Sequence, residues 1–176
     1  MNRLSRTIES LLEIILIVLM VGLTTIVVVA VIYRKMDASL VWYDEVASIT
    51  LSWITFYGGA LAVLKRKHIG FDSVLLAVPM PIRMYLAVFA EAVFIAFFVL
   101  LAWAGWEVLQ VLEGDNLVSL RWVPVQFTQS VIPIGAALFI ICELLAVPAY
   151  LKMVASGQSA EHLEIEAEIA AEMKRS

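Results

Sequence analysis

The sequence predicts an all-α integral membrane protein with four transmembrane helices, short interfacial helices and both termini in the cytoplasm. Composition is the first observation: 62% of the 176 residues are hydrophobic and only 16% are charged, whereas water-soluble domains carry about 25% charged residues. The second is that four apolar runs reach the roughly 20 residues that a membrane-spanning helix needs. Because the hydrocarbon core offers no water to backbone polar groups, these runs must be helical.

The four apolar runs set the predicted helices. They cover residues 14–33, 46–64, 84–111 and 122–150, and we predict helices over about residues 12–33, 45–64, 83–111 and 128–152. The first run is too long for the apolar core of a signal peptide, and no clean small-residue cleavage site follows it, so we expect a retained helix. Together the helices form one membrane domain, residues 1–155.

The segments outside the helices are short. Residues 1–13 combine a leucine-rich face with arginines and suit an interfacial lead-in to the first helix. Residues 71–78 are too short to span, and we expect them to lie in the membrane interface before the Pro79–Pro81 pair. Residues 156–176 form an acidic segment, which we predict to be a cytoplasmic tail that an anionic leaflet repels.

Orientation follows from lysine and arginine in the loops, which concentrate on the cytoplasmic side of membrane proteins. Nine of the 12 basic residues fall on one predicted side, namely Arg3, Arg6, Lys65, Arg66, Lys67, Arg83, Lys152, Lys174 and Arg175. The other side holds Arg34, Lys35 and Arg121. Both termini are therefore predicted to be cytoplasmic. We interpret Lys65, Arg66, Lys67 and Arg83 as topology determinants that bind phospholipid headgroups.

Residues typical of catalysis and cofactor binding are missing from the predicted helices. The sequence has no glycine-rich phosphate loop and no HExxH zinc motif. Its two histidines lie outside the apolar runs, so no membrane histidine is available to bind haem. The single Cys142 excludes an internal disulfide. We therefore expect no enzyme activity, no metal or cofactor in this chain and no nucleic-acid partner.

Three carboxylates fall inside or near the predicted helices: Glu13, Glu91 and Glu143. Counted at about 1.5 Å per residue, they lie at a similar depth on the cytoplasmic side. Ionisable residues at membrane depth are functional candidates, and one interpretation is a proton or ion relay. A second is contact with interfacial water, and a third is pairing with cations of another chain. The sequence leaves all three open.

One stretch carries a recognisable pattern, VWYDEVASITLSWITFYGGALAVLKRKHIGFD at residues 41–72. It resembles the signature of the small membrane subunit of tripartite ATP-independent periplasmic (TRAP) transporters of the DctQ/SiaQ type. The matching residues are Trp42, Asp44, Glu45, Trp53, Gly58, Gly59, the basic cluster from Lys65 to Lys67, His68, Ile69 and Asp72. A second match is the Pro-Ile-Gly element of Pro133, Ile134 and Gly135.

The resemblance implies a function. In such transporters a periplasmic binding protein delivers the substrate to a large membrane subunit, which holds the substrate and sodium sites, while the small subunit supports the large one. Uptake is driven by an ion gradient, and the substrates are usually organic acids such as C4-dicarboxylates, sialic acid or keto acids. The implied location is the bacterial inner membrane.

Several residues within the pattern have expected roles. Small residues let helices approach closely in lipid, so we expect Gly58 and Gly59 to mark a helix contact, within the chain or to another subunit. We expect the same of Trp42, Glu45, Trp53, Pro133 and Gly135. His68 and Asp72, with Gly70 between them, suit a sharp turn because glycine permits unusual backbone angles.

An alternative function is a small four-helix proton-coupled multidrug carrier. Such a carrier needs a glutamate near the middle of the first helix, whereas Glu13 lies near its end. The alternative carrier would act alone or as a homodimer, whereas the TRAP-like interpretation requires a partner chain.

Overall fold

The computed structural model describes residues 3–65 and 78–156, in which four long helices and one short helix are connected by loops. The helices are α1 Arg3–Lys35, α2 Tyr43–Leu64, α3 Met80–Val111, α4 Val125–Gln129 and α5 Val131–Ser156. Four segments are long and apolar enough to cross a membrane, the fourth combining α4 and α5. No extended strand occurs in the described ranges. The predicted all-α membrane fold with four spanning helices is therefore confirmed.

The first helix is longer than predicted. It begins at Arg3 instead of near residue 12, so the expected lead-in is part of the same helix. No glycine or proline interrupts residues 3–21, and the sequence therefore offers no local reason for the helix to stop. At about 1.5 Å per residue the helix is roughly 50 Å long, which exceeds the ~30 Å hydrocarbon core, so its ends must reach beyond that core.

The end of α1 is closed by a Schellman motif. Asp37 has a left-handed backbone conformation, with φ of 56°, and the amide of Ala38 donates to the carbonyl of Tyr33 over 3.0 Å. A second bond joins the Asp37 amide to the Arg34 carbonyl over 3.3 Å. This motif usually places glycine at the left-handed position, and aspartate is one of the few residues that tolerates it.

The long helices pack in the order α1, α2, α5, α3, with each helix contacting the next in that series. The core cluster lies where α1, α2 and α5 meet, and its buried members are Leu12, Tyr57, Ala60, Val63, Leu64, Phe139 and Cys142. The end of α2 lies beside the first turns of α1, so these two helices are antiparallel. Successive long helices run in alternating directions, so residues 3 and 156 lie at the same end of the bundle.

The loop between α3 and α4, residues 112–124, is held by its own hydrogen bonds. The amide of Leu117 donates to Val123 over 3.0 Å, and the amide of Val125 donates to Asp115 over 3.0 Å. Gln126 extends the connection because its side-chain amide donates to the carbonyl of Leu109 at the end of α3, over 2.9 Å. The loop is thus fastened to both helices that it joins.

Candidate helix-packing and subunit-contact site

The two adjacent glycines of α2 face different neighbours. A methyl group at Gly59 would overlap the ring of Phe139 on α5, whereas one at Gly58 would lie 3.7 Å from the side chain of Leu16 on α1. Phe139 is fixed from its other side, because its ring stacks on Phe98 of α3 with centroids 4.2 Å apart. Gly59 therefore marks a close approach inside this chain, and Gly58 a looser one.

Two further glycines allow α5 to approach its neighbours. A methyl group at Gly135 would overlap the ring of Phe56 on α2. A methyl group at Gly105 of α3 would lie 2.8 Å from Ile132 and 3.0 Å from Pro133. Gly135 and Pro133 were predicted from the sequence as contact residues, whereas Gly105, Phe56 and Phe139 were not. The signal for Gly105 was its position among alanines in a helix that otherwise carries large side chains.

Trp53 connects α2 to the short helix α4. Its indole N–H donates to the carbonyl of Thr128 on α4 over 3.2 Å. The indole also contacts two aromatic rings, with centroids 5.7 Å from Tyr57 and 5.7 Å from Phe127. An indole that is withdrawn from solvent needs an acceptor for its one donor, and for the half-buried Trp53 the carbonyl of Thr128 supplies it. Trp42 caps the start of α2 with its backbone and makes no side-chain cap bond.

Glu45 binds the α3–α4 loop. Its carboxylate accepts the amides of Val118 over 3.1 Å and Ser119 over 2.9 Å, and it also accepts the hydroxyl of Ser119. A carboxylate that accepts several donors holds a loop more firmly than a neutral acceptor does. The first turn of α2 is thereby joined to a loop more than 70 residues further along the chain.

Lys65 joins α2 to α1. The residue directly follows α2, and its ammonium group lies 3.3 Å from the carboxylate of Glu9 and donates a hydrogen bond to Glu13. The bond to Glu13, and next the bond to Glu9, raise the pKa of Lys65 above its ordinary value. Lys65 is therefore protonated at neutral pH.

This cluster adds contacts that the sequence did not indicate. Lys65 binds two carboxylates of its own chain, and its role as a topology determinant stays a prediction. For Glu13, pairing with a cation of another chain was one of three open interpretations, and in this structure a cation of the same chain, Lys65, pairs with it. Helix periodicity could not indicate this pair, because it does not show which neighbouring helix a side chain faces.

The remaining residues of the loop after α2 are only partly described. Arg83 of α3 donates to the carbonyl of Val78 over 3.1 Å, which closes the turn before that helix, and Pro81 occupies its first turn. The other predicted topology and turn residues, Arg66, Lys67, His68, Gly70 and Asp72, lie outside the described residues. The predictions made for them remain predictions.

The other two membrane carboxylates differ in burial. Glu143 of α5 is only 3% exposed, and Glu91 of α3 is half-buried. Each makes a polar or electrostatic contact, so neither is an unpaired charge. Leu12 and Cys142, which adjoin Glu13 and Glu143 in the sequence, are both buried members of the core cluster.

The described residues thus build helix contacts and loop attachments. Over residues 3–65 and 78–156, no group of three or more histidine, cysteine, aspartate or glutamate side chains is placed to hold a metal ion. The class that this structure defines is a multi-pass membrane protein built as a helical bundle.

A comparison with known protein families identifies the family. The sequence profile of the DctQ component of tripartite ATP-independent periplasmic transporters matches residues 23–148, well over half of the chain. The chain therefore belongs to this family, whose members are the small membrane component of TRAP transporters. The matched region runs from the middle of α1 into α5 and contains every close glycine contact described above. No curated protein matches the chain at a significant level.

Proposed function

We propose that the chain is the non-catalytic supporting subunit of an importer that takes up an organic acid using an ion gradient. The observation that carries the proposal is the family match, which covers most of the packed bundle. The partners are a large membrane subunit and a periplasmic binding protein, and the substrate and sodium sites belong to the large subunit. The location is the bacterial inner membrane.

The packing of the bundle favours a role as a structural support for the large subunit. Aromatic and glycine contacts connect α2, α5 and α3 at their centre, and the two ends are tied by Lys65 and by Glu45. A rigid bundle of this kind is suited to be a fixed support beside which the large subunit moves. Membrane helices that must slide against each other would not be fastened at both ends.

The distribution of lysine and arginine supports one orientation of the chain in the membrane. With the charge-rich side in the cytoplasm, the α3–α4 loop faces the periplasm, where the binding protein arrives. Trp122 and Val118 in this loop are 80% and 88% exposed. The loop is thus an ordered surface that a periplasmic partner can contact, because Glu45 holds its backbone in place.

The proposal is tested by expressing the tagged chain together with the large subunit and binding protein from the same genome. We expect the large subunit to co-purify in mild detergent, and uptake of a labelled organic acid to require this chain. Stable purification of the chain without a membrane partner, together with transport by the chain alone in liposomes, would contradict the proposal and support the small-carrier alternative.

A further inference from the structure

Three contacts join the four long helices at one shared level of the bundle. Gly58 of α2 lies beside Leu16 of α1, and Gly59 lies against Phe139 of α5. The ring of Phe139 in turn stacks on Phe98 of α3. Positions along each helix can therefore be counted from this shared level, at about 1.5 Å per residue. Inward means towards the end that holds residues 3 and 156, and outward means towards the α3–α4 loop.

Contacts nearer the two ends keep the same count. Lys65 of α2 binds Glu9 of α1, and both lie seven residues inward of the shared level. At the other end, Gly105 of α3 packs against Pro133 of α5, seven and six residues outward of that level. The helices therefore run side by side without a large change of register.

The apolar runs of α1 and α3, the outermost helices of the series, are displaced in opposite directions from the shared level. On α1, the nearest charged residues are Glu13, three residues inward, and Arg34, eighteen residues outward. On α3, Glu107 lies nine residues outward, and the nearest basic residue inward is Arg83, at fifteen residues. The midpoints of the two runs therefore differ by about 16 Å along the bundle.

Helix α2 has an intermediate displacement, as its place in the series requires. Its run extends from Glu45, thirteen residues outward, to Lys65, seven residues inward. The midpoint is about 4.5 Å outward of the shared level, compared with about 11 Å outward on α1 and about 4.5 Å inward on α3. Glu91 lies within the run of α3, but it is half-buried and makes a contact within the chain, so it does not have to lie at the membrane boundary.

Exposed side chains follow the same slant at the inner end. Leu86, Val88 and Phe89 of α3 are apolar and exposed, nine to twelve residues inward of the shared level. At the same levels α1 carries Arg6, and Arg3 follows one residue beyond. Hydrocarbon would suit the α3 side chains at this level, whereas water and headgroups suit those of α1.

The outer end shows the reverse arrangement. Val28, Val31 and Ile32 of α1 are each about half exposed, twelve to sixteen residues outward of the shared level. On α3, the exposed carboxylate of Glu107 lies nine residues outward, and the helix ends at Val111. A flat membrane crossed by an upright bundle would therefore leave apolar side chains in water at two diagonally opposite corners.

We propose that the bundle is seated obliquely in the membrane, with α1 shifted outward and α3 shifted inward. Neighbouring helix axes lie ~8–10 Å apart, so α1 and α3 are about 20–27 Å apart and the 16 Å displacement corresponds to a tilt of about 30–40°. Apolar runs of roughly 31–36 Å tilted by this angle cross about 26–30 Å, which matches the ~30 Å hydrocarbon core. The inference depends neither on the absolute orientation nor on the function proposed above.

The test measures the depth of single spin-labelled cysteines in the full-length chain, in phospholipid nanodiscs and a Cys142→Ala background. Electron paramagnetic resonance compares collisions with oxygen, which dissolves in hydrocarbon, and with a water-soluble nickel chelate. Val27→Cys and Val108→Cys form the outer pair, eleven and ten residues outward of the shared level and 40% and 43% exposed. Leu4→Cys and Leu86→Cys form the inner pair, both twelve residues inward and 59% and 46% exposed.

We expect labels at Val27 and Leu86 to collide mainly with oxygen, and labels at Val108 and Leu4 mainly with nickel, with severalfold different ratios within each pair. Equal ratios within the pairs would overturn the proposal, because an upright bundle places both members at one depth. Polarised infrared spectroscopy of the wild-type chain in oriented bilayers separates tilt from a local deformation of the bilayer. A mean helix tilt no greater than the ~20° average of membrane helices would also overturn the proposal.

Discussion

At the scale of single residues, the neighbouring glycines Gly58 and Gly59 of α2 pack against different surroundings. Gly59 faces Phe139, whose ring is stacked on Phe98, while Gly58 faces the flexible end of Leu16. A ring held between two helices cannot move aside without disturbing both, whereas a leucine methyl group can. The same chemical change at adjacent positions should therefore have different results.

Gly59→Ala should destabilise the bundle by about 1–3 kcal/mol, because the added methyl group overpacks against Phe139. The matched control Gly58→Ala should stay within about 0.5 kcal/mol, since the methyl group would meet Leu16 at ordinary contact distance. Thermal unfolding of the purified chain in detergent, followed by circular dichroism, measures both. Adding Phe139→Leu to Gly59→Ala should recover part of the loss, and equal behaviour of the two glycine variants would contradict this account.

The second residue-scale prediction concerns Lys65. Lys65→Gln should lower the melting temperature because Glu9 and Glu13 are left beside each other without their cation. Lys152→Gln is the control, since Lys152 is exposed and makes no ion pair in the described part of the chain.

The pH dependence of the Lys65 interaction follows from the direction of its pKa shift. The pKa of Lys65 is raised in the folded chain, so the stabilisation is present below the ordinary lysine pKa and is lost as pH rises through the raised value. The difference between wild type and Lys65→Gln should therefore persist at neutral pH and shrink in strongly alkaline buffer. A difference that stays constant across this range would rule out the ion pair as its cause.

At the scale of elements, the sequence was sufficient for the four spanning helices but not for their mutual contacts. Long apolar runs and the loop charges predict helices directly, since the bilayer permits little else. The helices are apolar around much of their circumference, so the pattern does not show which face meets which neighbour. Phe139 and Gly105 were missed for that reason, and Lys65 was not recognised as a partner of Glu13.

The α3–α4 loop gives an element-scale prediction. Glu45→Ala should open this loop, because the amides of Val118 and Ser119 lose their acceptor. Trypsin should then cut after Arg121 severalfold faster, as measured by mass spectrometry of the released fragments. Glu113→Ala is the control, because it removes a glutamate of the loop itself and Glu113 makes no side-chain bond among the described residues. Equal cleavage rates for the two variants would show that Glu45 does not hold the loop.

At the scale of the whole molecule, the structure fixes the relative direction of the helices and the charge pattern supplies the absolute one. Residues 3 and 156 lie at one end of the bundle, and the α3–α4 loop lies at the other. Nine of the 12 basic residues are predicted from the sequence to belong to the first side, and this charge bias predicts that the first side is cytoplasmic. Because successive long helices alternate in direction, labelling one residue at each end of the bundle is enough to test the orientation.

The orientation is best tested in intact cells with single cysteines introduced into a Cys142→Ala background, since Cys142 is buried in the core cluster. Val118→Cys lies in the α3–α4 loop and is highly exposed, so a membrane-impermeant maleimide should label it from the periplasm. Arg3→Cys lies at the opposite end and should be labelled only after the membrane is permeabilised. Because Arg3→Cys removes one of the basic residues that set the orientation, Leu4→Cys, also exposed, is the matched position that keeps all of them. Labelling of Leu4→Cys but not Val118→Cys in intact cells would invert the proposed topology and would place the α3–α4 loop out of reach of a periplasmic partner.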